Sequence, residues 1–200
     1  MKGSLLLLFA AMTMIIAPVS AAPITFWAGL SGPAEEPPNA SPGTGLTRVV
    51  IDPTLHTLEV FVTFQGLTSG NTASHIHVIN GPGDANTADT LGPVATLTPT
   101  FTGFPGGVTS GTYLHVFDTT LTSTYRAGFV TDSGGTAASA EAALFAGIMS
   151  GRAYLNIHTS QNPGGEIRGF LTAVPEPSTV ALTGMAFAGL AFIYRRRRAS

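Results

Sequence analysis

The sequence predicts an all-β fold, an antiparallel sandwich or barrel with one short helix, set between two hydrophobic targeting segments. Three observations carry this. Short runs rich in Val, Ile, Thr and Phe alternate with Gly, Pro, Asn and Ser punctuation, the pattern of strands joined by turns. In one run Leu58, Val60, Val62 and Phe64 alternate with Thr57, Glu59, Phe61 and Thr63, which turns one face of a strand to a core and leaves the other mostly wet. Uncharged apolar stretches occupy both ends, at 5–17 and 180–194.

Taken in order, strands are expected at 24–30, 44–51, 57–65, 73–79, 93–97, 111–118, 125–130, 152–159 and 166–172. Asp52-Pro53-Thr54 starts the turn into the third, and Asn162-Pro163-Gly164-Gly165 joins the last two as a hairpin. The exception to β is 136–149, where alanines, Leu144, Phe145, Ile148 and Met149 form one apolar stripe before Gly151, a short helix with a glycine to end it. Residues 98–111 read as a long Gly-rich loop.

The two ends divide the chain into three parts. Residues 1–21 are expected to be a cleaved secretory signal: Lys2, an apolar core at 5–17, then Pro18 and small residues with the cut after Ala21. A permanent membrane helix needs about 20 apolar residues, more than this core offers. Residues 22–174 form a single β domain, long enough to bury a core. Residues 175–200 form a tail of three pieces. Pro175-Glu176-Pro177 breaks any helix, 180–194 can enter a bilayer as a transmembrane helix, and Arg195, Arg196, Arg197 and Arg198 stay on the cytoplasmic side.

With both ends set aside, the domain carries Arg48, Arg126, Arg152 and Arg168 against ten acidic residues, a net charge of −6. An acidic domain without a basic stripe does not attract nucleic acid. The chain has no cysteine, which excludes disulfides, thiolate metal sites and cysteine-dependent catalysis.

Two resemblances add to this reading. The tail, with its Pro175-Glu176-Pro177 motif, apolar span and arginines, resembles the PEP-CTERM sorting signal of Gram-negative bacteria. That implies signal peptidase and exosortase as processing partners, transient contact with the inner membrane, and delivery to the cell surface or the extracellular matrix of a biofilm. In the domain, Phe26-Trp27-Ala28-Gly29-Leu30-Ser31-Gly32, Glu36-Pro37-Pro38, Ser74-His75-Ile76-His77, Tyr154-Leu155-Asn156-Ile157-His158-Thr159 and Gly164-Gly165-Glu166-Ile167-Arg168-Gly169 resemble the CHRD domain of chordin and of many exported bacterial proteins. The blocks fall in the family's order over 24–172. The resemblance implies an immunoglobulin-like sandwich or barrel, related in architecture to copper/zinc superoxide dismutase. It supplies no agreed biochemical role for the bacterial members.

Histidines pose the sharpest chemical question. On a strand, residues two apart share a face, so His75 and His77 point together while Ile76 and Val78 turn to the core. By the same logic Leu155 and Ile157 face the core, and Tyr154, Asn156 and His158 face away. His115 is also expected to face away from it. Converging imidazoles from His75, His77, His158 and His115 would suit Zn²⁺ or Cu²⁺ as cofactor. The same histidines also suit a structural role, bonded to loop carbonyls and locking the sandwich, and this blander role is the one the sequence favours. Dismutase chemistry is not expected, since residues 81–114 hold no histidine to bridge two metals.

Weaker candidates are the oxygen-bearing loop 81–89, which lacks EF-hand spacing, and an ion pair of Arg168 with Glu36 or Glu166. No phosphate loop, dinucleotide fingerprint or Gly-x-Ser-x-Gly motif is present, so no catalytic residue is assigned and no enzyme is expected. The favoured function is a noncatalytic surface or matrix binding module that meets exopolysaccharide or surface proteins through its loops. The alternatives are a histidine-centred metal-binding protein and a structural protein of the envelope or biofilm.

Overall fold

A computed structural model of the protein describes residues 22–85, 90–174 and 194. The expected signal segment with its cut after Ala21, the Pro175-Glu176-Pro177 motif, the apolar span apart from Tyr194, the four arginines and the second half of the 81–89 loop lie outside the described residues. Among the described residues no helix is long and apolar enough to cross a membrane.

Eight strands run in the order β1 (Ile24–Ser31), β2 (Thr44–Asp52), β3 (Thr57–Gln65), β4 (Asn71–Val78), β5 (Gly111–Asp118), β6 (Ala153–Thr159), β7 (Ile167–Phe170) and β8 (Thr172–Ala173). They form one antiparallel sheet in the spatial order β4-β6-β7-β1-β2-β3-β5, with β8 also on β1. The joint between its halves is slender. β7 meets β1 through the single pair Ser31↔Arg168, and β8 then takes over opposite Phe26 and Trp27. About this joint the sheet curls on itself, so the core draws Phe26, Leu30, Val49 and Val60 from one half and Ile76, Val78, Leu155, Ile157 and Ile167 from the other. The expected all-β sandwich or barrel is what forms.

Local chemistry sets the details. Asp52 Oδ1 accepts from the amides of Thr54 and Leu55, an Asx turn that aims β3 back along β2. Thr136 caps helix α2 (Ala137–Met149) in a capping box with Ser139. The Gly-rich loop 98–111 does more than connect. Its Phe101 and Phe104 are buried against Phe64, Tyr113 and Phe117, and the Phe101 amide donates to Ser74 O. The loop thus bridges the terminal strands β4 and β5.

Three expectations are corrected. The strand expected at 125–130 is a short helix, α1 (Ala127–Asp132): Tyr125, still extended before the N-cap Arg126, stacks on Phe129 at 6.4 Å, and packing overrides the β propensity of Phe129 and Val130. Residues 93–97 make only the bridges His77↔Val94 and Thr96↔Tyr125. Pro93 has no amide to give, and the Thr96 hydroxyl takes the place of a backbone acceptor for the Ile76 amide. The last strand is broken at Leu171 into β7 and β8, where the sheet turns from β6 to β1.

Candidate metal centre

Alternation along β4 and β6 places the site. Ile76, Val78, Leu155 and Ile157 fill the inner face and are all but fully buried. One residue out of phase, His75 and His77 on β4 and Tyr154, Asn156 and His158 on β6 project from the outer face, with Arg168 and Phe170 of β7 beside them in register. This outer face is not wet. Segments around 32–39 and 90–99 lie over it, and His75, His77, Tyr154, Asn156 and Arg168 are buried.

A backbone carbonyl holds each imidazole by one nitrogen, from the 90–99 segment for His75 and His77 and from the β6–β7 hairpin for His158. Nε2 of His75 bonds the Pro99 carbonyl at 2.6 Å, Nδ1 of His77 the Gly92 carbonyl at 2.7 Å, and Nδ1 of His158 the Pro163 carbonyl at 2.9 Å. A carbonyl only accepts, so the proton sits on the nitrogen facing it. The remaining nitrogens, Nδ1 of His75 and Nε2 of His77 and His158, are buried without a hydrogen-bond partner. One ring nitrogen from each histidine lies within 4.8 Å of the others, and the ring centroids of His75 are 5.7 Å from His77 and 5.2 Å from His158.

Burial decides the charge. It pushes His75 down to about 4 and His77 down to about 3, against the weaker pull of their carbonyl partners, and it lowers His158 as well. At neutral pH the three rings are neutral and present lone pairs. Tyr154 stacks on His77 at 4.8 Å, and the Arg168 guanidinium lies 4.8 Å over the Tyr154 ring. Arg168 donates to Ala34 O, Thr90 O and Thr90 Oγ1, stitching both covering segments to the sheet.

Two acidic residues divide the remaining work. Glu35 is 5% exposed, its Oε2 is 3.8 Å from Arg168 Nε, and burial raises it to about 7 against the arginine's opposing charge. Glu166 is fully buried and accepts from Ser41 Oγ at 2.6 Å, Thr68 N at 2.6 Å, Thr68 Oγ1 at 2.9 Å and Thr159 Oγ1 at 2.6 Å. Burial works against that carboxylate, but the four donors outweigh it and hold its pKa below the ordinary value. The arginine's carboxylate neighbour is therefore Glu35, which corrects the expected pairing with Glu36 or Glu166. Glu36 accepts from Thr90 instead.

The structure brings His75, His77 and His158 together and leaves His115 apart. On β5 the buried phase is Tyr113 and Phe117, with Leu114 and Val116 exposed, so His115 lies on the core side, 4.4 Å from the Phe117 ring and 6.2 Å from that of Tyr113. This corrects its expected orientation. Leu114 and Val116 are as apolar as the aromatic pair, and only the packing of Phe101 and Phe104 selects the phase. His56 takes a turn position with positive φ and pairs with Glu141. In the 81–89 loop, Asp84 accepts from the Asn80 amide. Glu35 had no signal in the sequence, because a turn at Gly32–Ala34 delivers it from a segment without periodicity.

No curated protein and no solved structure matches the chain. The PEP-CTERM protein-sorting motif matches residues 173–198, which makes this an exosortase-sorted surface protein, exported with transient anchoring in the membrane. The CHRD domain matches residues 26–171, most of the chain and all of the curled sheet but the first two residues of β1 and the short β8. The chain belongs to the CHRD domain family.

Proposed function

We propose that this exported protein is a noncatalytic surface module that holds one transition-metal ion, Zn²⁺ or Cu²⁺, between His75, His77 and His158. A single observation carries the reading. Each ring is pinned by one nitrogen to a backbone carbonyl while the other, unprotonated, is buried without a partner, and one ring nitrogen of each histidine lies within 4.8 Å of the others. Metal-binding histidines are oriented in this way by the bond that their second nitrogen makes. A structural role alone accounts for the three outer bonds and leaves three buried acceptors unpaired, each a cost of about 1–3 kcal/mol. In a tetrahedral site with metal–nitrogen bonds of about 2.0–2.1 Å, the nitrogens stand about 3.3 Å apart, against the 4.8 Å within which one nitrogen of each ring lies here.

Titration of metal-free, untagged protein tests this. Zn²⁺ or Cu²⁺ at a hundred times its Kd should add about 2.7 kcal/mol, or roughly 5–10 °C in Tm. His77→Ala should fold and lose the shift. Unchanged melting of the native protein in excess of either ion rules the reading out.

A second reading, binding of exopolysaccharide or a surface protein, draws support from a cleft of about 280 Å³ between Glu36, Pro37, Pro38 and Asn39 and the Gln161–Gly165 loop. Selective hits on a glycan array, lost in Asn39→Ala, would support it.

A further inference from the structure

We infer that Asn156 is the fourth protein ligand of this centre, its carboxamide oxygen completing a closed set of three imidazoles and one amide. The inference rests on the metal reading above. Asn156 stands directly opposite His75 across the β4–β6 ladder and two residues before His158 on the same strand, so it projects from the outer face between them. Cross-strand neighbours in such positions have Cβ atoms about 4.5–5.5 Å apart, within reach of a shared ion.

The side chain is 2% exposed, and its Oδ1 is buried without a hydrogen-bond partner. Its neighbour on the other flank, Arg168, directs three of its N–H donors to Ala34 and Thr90 and makes no bond to that oxygen. Among the described residues seven buried side-chain polar atoms lack a partner, and four of them are this oxygen and the three imidazole nitrogens. All four are acceptors. Acceptors buried on one face without a hydrogen-bond partner have lost their hydration, and a cation would restore a partner to each of them. A neutral amide oxygen is also a fourth donor that copper centres accept as a weak ligand. Four protein ligands leave no position for an exchangeable water, the mark of a retaining site in contrast to a hydrolytic one.

The test uses the full-length, untagged protein in detergent, loaded with Co²⁺ as a spectroscopic substitute for Zn²⁺, and separately with Cu²⁺. The wild type should give a four-coordinate Co²⁺ spectrum that azide leaves unchanged. Asn156→Ala should become azide-sensitive and bind about tenfold or more weakly, while Asn156→Asp, which keeps an oxygen in place, should stay azide-insensitive. An azide response in the wild type overturns the assignment, whether or not the alanine variant folds. An unchanged Kd and spectrum in folded Asn156→Ala overturns it as well, and the three-histidine centre then stands alone. No metal uptake by the wild type overturns both.

Discussion

Strands β4 and β6 bury both their faces, and the two faces obey different rules. Inside, Ile76, Val78, Leu155 and Ile157 are stabilised by removal of apolar surface from water, about 25 cal/mol per Å², and any well-shaped apolar neighbour serves. Outside, His75, His77, Tyr154, Asn156 and Arg168 are almost as inaccessible, yet each needs a partner of particular chemistry at a particular place. The inner face is satisfied by apolar neighbours from the sheet and from helix α2, whose Gly147 lies against Val78. The outer face is held by carbonyls of Ala34, Thr90, Gly92, Pro99 and Pro163 from distant segments, and four of its buried acceptors remain unpaired. A face that is costly to bury and still incompletely paired is built around something other than its own stability.

Acid should separate the faces most strongly. His75 and His77 are depressed to about 4 and about 3, while the unfolded chain binds protons at about 6.5. Between these values the unfolded state is the more protonated, so stability is full above about pH 6.5 and falls as the pH drops toward 4. The loss for the metal-free protein is on the order of 5 kcal/mol, read as a falling Tm. A flat Tm from pH 7 to 4 would erase the contrast, because the outer face would then carry no buried neutral histidines. Next comes the inner face: Leu155→Ala, one residue from Asn156, should cost about 2–5 kcal/mol in denaturant unfolding. Its metal affinity should stay within about twofold of the wild type, since additivity holds across faces that share no partner.

Glu166→Gln sharpens the contrast at the end of the sheet. An amide nitrogen there would face donors from Ser41, Thr68 and Thr159, and a loss of about 2 kcal/mol is expected. The smallest effect belongs to Glu35, whose sign is opposite to that of the histidines. Raised to about 7 by burial, it makes the folded state the more protonated between about 4.5 and 7, so its contribution declines as the pH rises through that window. Glu35→Gln, which keeps the neutral shape, should raise stability at pH 8 by about 1 kcal/mol or less once screening by nearby water is allowed for, with no change at pH 4. Lower stability at pH 8 would mean that the carboxylate is paired with Arg168 more tightly than 3.8 Å implies.

Alternation made the inner face legible residue by residue, and with it the direction of His75, His77 and His158. The site was legible only as a direction. Its burial came from 32–39 and 90–99, segments of Pro, Gly and Asn without periodicity, which give no hint that they fold over a sheet. The phase of β5 and the helix at Ala127–Asp132 are not legible in the sequence for a related reason: where two apolar phases or two propensities are equally matched, distant aromatics such as Phe101, or a stacking partner such as Tyr125, break the tie.

By itself the sequence determined most of the strands, their buried phase wherever apolar and polar residues alternate cleanly, the absence of disulfides, and the sorting tail, because each depends on residues close together in the chain. Only the tertiary structure decided that the second face of β4 and β6 is covered, which nitrogen of each imidazole is bonded, and that the amide oxygen of Asn156 is buried on that face without a partner. Those outcomes depend on carbonyls that the fold delivers, from five residues away at His158 to 134 at Arg168, and a hydrogen bond exists only where two groups meet in space.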